Sequence, residues 1–106
     1  MQLRIHSKNI ELTQAIRQHI RERLTAALDQ HAGRVGQVAV TVSDVNGPRG
    51  GIDQLCNVVV RLSNGRTLRH SRKGEDLYAN VSLVADKVKR RVGREIARLR
   101  QNHRGG

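Results

Sequence analysis

Aromatic side chains are nearly absent from this 106-residue chain, which has one Tyr, no Phe and no Trp. Its core must therefore be built from Val, Ile, Leu and Ala. Base stacking on strand aromatics, the RRM mode of holding RNA, is excluded because Tyr78 falls in a helical segment. A single cysteine, Cys56, rules out an internal disulfide, and a reducing compartment, the cytoplasm, is the expectation. No apolar run approaches the roughly 20 residues of a membrane-spanning helix. The opening Met1-Gln2-Leu3-Arg4-Ile5-His6 alternates instead of forming the apolar stretch of a signal peptide.

Acidic residues are scarce too. Nine Asp/Glu face 20 Lys/Arg, for a formal charge of +11. The excess is uneven: residues 1–60 hold seven basic and five acidic residues, residues 61–106 thirteen and four. Self-repulsion of this kind opposes folding slightly and solubility does not require it, so an anionic partner is implied. Nucleic acid is the first choice, with an acidic protein or a membrane surface as the rivals.

The length suits one domain, expected over residues 1–101, with a flexible tail at 102–106. Leu3 and Ile5 alternate with Arg4 and His6, which predicts a first strand over 2–6. Thr13 can cap a helix, and Ile16, Ile20, Leu24, Ala27 and Leu28 then keep helical spacing to about residue 31. Val38, Val40 and Val42 mark a second strand. The run Asn46-Gly47-Pro48-Arg49-Gly50-Gly51 can belong only to a loop. Cys56, Val58, Val60 and Leu62 share one side of a third strand, about 54–63. Asn64-Gly65 signals a hairpin to a fourth strand at 67–72. A loop of Asn64, Gly65 and Arg66 would set Leu62 opposite Leu68. Leu77, Val81, Val84, Ala85, Val88, Val92, Ile96 and Leu99 keep helical period from about 75 to 101, with Glu75 and Asp76 favourably placed at the helix start.

The order β-α-β-β-β-α predicts an α+β two-layer sandwich. A right-handed first crossover makes strands 1 and 2 parallel, strands 2 to 4 form an antiparallel meander, and both helices cover one face of a four-stranded mixed sheet. The core should include Leu3, Ile5, Val38, Val40, Val58, Val60, Leu62, Val81, Val88 and Val92.

No catalytic set assembles. His6, His19, His31, His70 and His103 lack metal-ligand spacing with one another or with Cys56, so no metal or cofactor is expected. Cys56 reads as a packed thiol, and His70, sharing parity with Leu68, as a satisfied, partly buried histidine. Gly47-Pro48-Arg49-Gly50 matches the GxxG of KH domains, but it joins strands instead of helices. Either it is a plain connection or Arg49 touches phosphate.

The last helix carries the sharper signal. With Leu77 at zero and about 100° per residue, the apolar positions fall between about 340° and 100°. Lys87, Arg90, Arg91, Arg94 and Arg98 fall between about 220° and 320°, along roughly 16 Å of axis. Lys89 and Arg100 lie on the other flank, expected near Glu95 and Asp86. A solvated helix face is normally laced by acid–base pairs at i,i+4. Here 87/91, 90/94 and 94/98 are like-charged, which points to a phosphate-binding ridge. Arg4, Arg61 and Arg69 have outward parity on strands 1, 3 and 4; they form either a solvated face or a secondary RNA patch.

The whole chain resembles the ribosome hibernation promoting factors, also called the protein Y or sigma-factor modulation family. MQLRIHSKNIELTQAIRQHI is similar to that family's first strand and helix, and GEDLYANVSLVADKVKRRV to its second-helix signature. The resemblance implies a non-enzymatic regulator that binds the small ribosomal subunit between head and body. There it would occlude messenger RNA and the decoding-side tRNA sites and so silence idle ribosomes. It assigns ribosomal RNA contacts to Lys87, Arg90, Arg91, Arg94 and Arg98, and a packing role to Tyr78. It implies the short form, without the C-terminal dimerisation domain of long members. The loop DVNGPRGGIDQLC and the basic excess of the last helix depart from the familiar short members and suggest a divergent branch. The residues also admit a general RNA- or DNA-binding protein of the same fold, or a module for an acidic protein partner.

Overall fold

The computed structural model describes residues 1–45 and 53–105. The elements are β1 (Gln2–Lys8), α1 (Gln14–Leu28), a 3-10 segment (Asp29–Arg34), β2 (Val35–Asp44), β3 (Gln54–Leu62), β4 (Thr67–Gly74) and α2 (Leu77–Gly105). The sheet order is β1-β2-β3-β4, with β1 parallel to β2 and the other neighbours antiparallel. Both helices bury their apolar stripes in one cluster with one sheet face. This is the expected α+β sandwich.

Alternation puts Val38, Val40, Val42, Cys56, Val58, Val60, Leu62 and Leu68 in that cluster, with Ile16, Ile20, Leu24 and Leu28 from α1 and Val81, Val84, Val88, Val92 and Ile96 from α2. Burying each such side chain contributes about 1.5–3 kcal/mol. Leu3 and Ile5 are only partly buried, because β1 is the edge strand and is covered from one side less completely.

Local chemistry sets the ends. The Thr13 side chain accepts from Ile16 N at 3.2 Å and caps α1. Asp76 caps α2 by accepting from Ala79 N at 3.2 Å, so that helix starts at Leu77 and not at Glu75. α1 stops at Leu28 and tightens into the 3-10 segment, short of the expected residue 31. α2 continues to Gly105, through most of the segment expected as a tail.

The hairpin register differs from expectation. Val60, not Leu62, lies opposite Leu68. The loop is Ser63, Asn64 and Gly65: Gly65 N donates to Leu62 O at 3.0 Å, and Leu62 N to Arg66 O at 2.8 Å. Gly65 has φ 91°, the left-handed residue that a three-residue hairpin needs at its last loop position. Parity is unchanged, so Leu62 and Leu68 both stay buried.

One buried polar side chain locks α2 to the sheet. Asn80 Nδ2 donates to Gln54 O at 3.0 Å and Gly74 O at 3.1 Å, joining the start of β3 and the end of β4 to the helix. Gly74 is required there: a Cβ would stand 2.8 Å from Asn80 Oδ1.

Candidate nucleic-acid interface

Because α2 buries one arc and leaves the rest in solvent, its basic flank is displayed along the β4 side of the molecule. Lys87, Arg90, Arg94 and Arg98 are exposed and Arg91 is half-buried. Among the described residues, Lys87, Arg90, Arg91 and Arg94 take part in no ion pair. Each like-charged i,i+4 pair opposes the helix by about 0.2–0.5 kcal/mol, so nothing within the described fold offsets 87/91 or 90/94.

Arg98 differs. Glu95, only 3% exposed, lies 3.6 Å from Arg98 Nη1 through Oε2 and 3.0 Å from Arg66 Nε through Oε1. The flank is therefore not free of acid at its far end. Of the expected neighbours of Lys89 and Arg100, Glu95 faces the β3–β4 hairpin instead, while Asp86 stays on the Lys89 side, lining a small hollow with Lys89 and lying 3.5 Å from Arg23 of α1. On the helical wheel Glu95 falls at about 0°, inside the apolar arc near its basic-flank edge, a position that marks the carboxylate for burial. Arg66, half-exposed at the hairpin, joins the basic end of α2 through this carboxylate.

His70 lies under the flank. It is partly buried on β4, opposite Val58. Its Nε2 is closed to solvent and has no hydrogen-bond partner among the described residues, contrary to the expectation of a satisfied histidine. Burial first, then the charges of Arg91, Lys87 and Arg94, hold its pKa below the ordinary histidine value. His70 shares an open cleft of about 900 Å³ with Lys87, Lys89, Arg90, Arg94 and His31.

Arg4, Arg61 and Arg69 are exposed on the sheet face away from the helices. Register places Arg4, Ala39, Val59 and Arg69 in one row across the sheet, with Arg61 diagonal to Arg69 beside Thr67. Lys8 and Lys73 share the face, with Lys73 3.9 Å from Asp53. Arg49 and the Gly47–Gly51 loop lie outside the described residues.

Other candidates are accounted for by packing. Cys56 is buried and its thiol is pushed up to about 11 by burial, which leaves it protonated and unreactive near neutrality. Tyr78 is exposed, with its ring 4.8 Å from that of His19. His19 Nε2 also reaches Tyr78 O at 3.2 Å and Ser82 Oγ at 3.4 Å, a clasp between the two helices. Among the described residues, no group of three His, Cys, Asp or Glu side chains is arranged to hold a metal. No helix among them is long and apolar enough to cross a membrane.

The fold and flank together define a class: a small α+β domain with a basic helix edge on its surface. The chain belongs to the Sigma 54 modulation protein / S30EA ribosomal protein family, which matches residues 3–100. It is 30% identical over 102 residues to the ribosome hibernation promoting factor of Escherichia coli K12, covering 96% of this chain and all of that protein. The Salmonella typhimurium factor of the same name is 28% identical with the same coverage. Among solved structures, a ribosomal subunit interface protein from Coxiella burnetii superposes with a TM-score of 0.77 at 15% identity, over 92% of this chain and 99% of that one. The N-terminal domain of Thermus thermophilus Protein Y gives 0.72 at 23% identity, over 89% and 98%.

Proposed function

We propose that this protein is a non-catalytic translation regulator that binds ribosomal RNA of the small subunit in the cytoplasm and promotes ribosome inactivation. The observation that carries the proposal is the unpaired, like-charged flank of Lys87, Arg90, Arg91 and Arg94 on a single rigid helix. Full-length relatives named for ribosome hibernation support the ribosome as the anion. Arg98 contributes less than the other four because Glu95 shares its charge. Arg4, Arg61 and Arg69 serve as secondary contacts on the opposite surface.

Co-sedimentation with purified small subunits over graded salt tests this. The four unpaired flank contacts alone predict a log–log slope of about −2.8 to −3.6, between single-stranded and duplex geometry, and the weaker contacts steepen it. Co-sedimentation should be accompanied by inhibition of translation in a reconstituted system. Absence from the small-subunit fraction at low salt would sink the proposal.

A further inference from the structure

We propose that His70 is a further RNA-contacting residue: its imidazole takes up a proton and, as the imidazolium, donates an Nε2–H hydrogen bond to an RNA phosphate seated among Lys87, Arg91 and Arg94, so that RNA binding is linked to protonation. This rests on the flank of α2 being the RNA surface.

The geometry comes first. His70 is on the inner parity of β4 yet beyond the apolar core, beneath the basic edge of α2. Its Nε2 is shut from water and unpartnered among the described residues. An unmet polar atom is unfavourable in the free protein, and a ligand that meets it gains what the fold lacks. His19 offers the contrast, since its Nε2 is occupied by Tyr78 O and Ser82 Oγ. Lys87 and Arg94 above His70 are long, exposed and unpaired, so they can part to admit a phosphate oxygen. The cleft that His70 lines runs past Arg90 to Gly93, with a volume of about 900 Å³.

The charges decide the direction. From α2, Lys87, Arg91 and Arg94 face His70, and from β3 the facing residue is Val58. On β4 itself, Leu68 and Arg72 share its parity. The Glu95 carboxylate, one helical turn beyond Arg91, is held by Arg66 and Arg98. His31 lies across the cleft, toward Gly93. In the free protein burial and these cations favour the neutral form of His70. A phosphate placed among them cancels their repulsion and accepts a hydrogen bond from Nε2–H of the imidazolium, which raises the His70 pKa on binding. Affinity must then rise as pH falls.

The test compares wild type with His70→Gln, which keeps size and polarity without the titration. Binding to purified small subunits is measured from pH 8 to pH 6, with circular dichroism as the check on folding. Wild type should tighten by about three- to tenfold more than His70→Gln over that range, below the ceiling of about tenfold per pH unit for one proton. In parallel, imidazole NMR of the wild-type protein should show the His70 titration moving upward when a short RNA hairpin is added. Equal pH dependence of the two folded proteins, or a His70 titration unmoved by bound RNA, overturns the proposal and leaves the flank standing. Failure of wild type to bind at any pH overturns both.

Discussion

The basic flank of α2 and the uncovered face of the sheet hold similar cations in different arrangements. On α2 the guanidinium and ammonium groups recur every three or four residues, where side chains are neighbours about 5–6 Å apart. On the sheet, Arg4 and Arg69 are separated by three strand spacings, about 14 Å, with Ala39 and Val59 between them. Dispersed charge of the second kind is compatible with plain solvation. Crowded, unpaired charge of the first kind opposes its own helix and is relieved by a polyanion. Charge density and missing partners, more than charge count, distinguish a binding surface from a soluble one.

The largest expected effect tests that distinction directly. Reversing Arg91 and Arg94 to Glu should weaken small-subunit binding at least tenfold, about 1.4 kcal/mol or more. It should also flatten the salt slope by about 1.4–1.8, the share of two contacts. Reversing Arg4 and Arg69 makes the same change in net charge and should weaken binding only a few-fold. Equal losses in co-sedimentation would mean that only net charge matters.

A second contrast lies within α2. Arg66→Ala leaves the buried Glu95 carboxylate with Arg98 as its remaining counter-charge and should cost about 1–3 kcal/mol in chemical denaturation, below the full loss of a buried pair because Arg98 stays and Arg66 is half-exposed. Glu95→Gln keeps the shape and releases Arg98. Its stability loss should be smaller, and its salt slope should steepen toward the five-contact range of about −3.5 to −4.5.

The elements and their order were legible because hydrophobic period changes cleanly from two to 3.6 along the chain, with Thr13 and Asn64-Gly65 as punctuation. The flank was legible for the same reason, since a helix of known phase fixes which cations share a side. What periodicity cannot give is the partner across a tertiary gap. The sequence sets Glu95 beside Lys89 and Arg100, and only the hairpin bringing Arg66 over it shows why a carboxylate tolerates the apolar arc. The open Nε2 of His70 depends on β4 lying beneath Arg91 and Arg94, a long-range fact. The hairpin register slipped because Asn64-Gly65 fits more than one loop, and Gly65 had to be placed at the left-handed position to choose between them.

Between the two surfaces lies the core, and a defect there should leave both intact. Folding holds the Cys56 thiol neutral up to about 11, against an ordinary value of 9.0. The unfolded thiol ionises first, so stability is lost as pH rises from about 9 to about 11, by at most about 2–3 kcal/mol. Cys56→Ala should cost about 1 kcal/mol near neutrality and lack that part of the alkaline decline, with small-subunit binding unchanged. Denaturation curves at several alkaline pH values, wild type against variant, measure the difference.

The smallest effect probes how RNA would meet the flank. Gly93 is a glycine inside a helix, which costs about 0.5–1 kcal/mol relative to Ala. A Cβ there would meet only His31 Nε2, at 4.0 Å, an ordinary contact. Gly93→Ala should therefore stabilise the protein by about 0.5–1 kcal/mol and raise Tm by about 2–8 °C. Gly93 also lines the cleft between Arg90 and Arg94. If phosphates are held at the ends of those long side chains, one methyl group on the helix surface leaves affinity within about twofold, and this is the expected outcome. Thermal melting together with small-subunit co-sedimentation separates the cases. A stabilised variant that binds much more weakly would mean that the RNA backbone comes down onto the helix at Gly93, and the flank would then be the wall of a groove instead of a ridge.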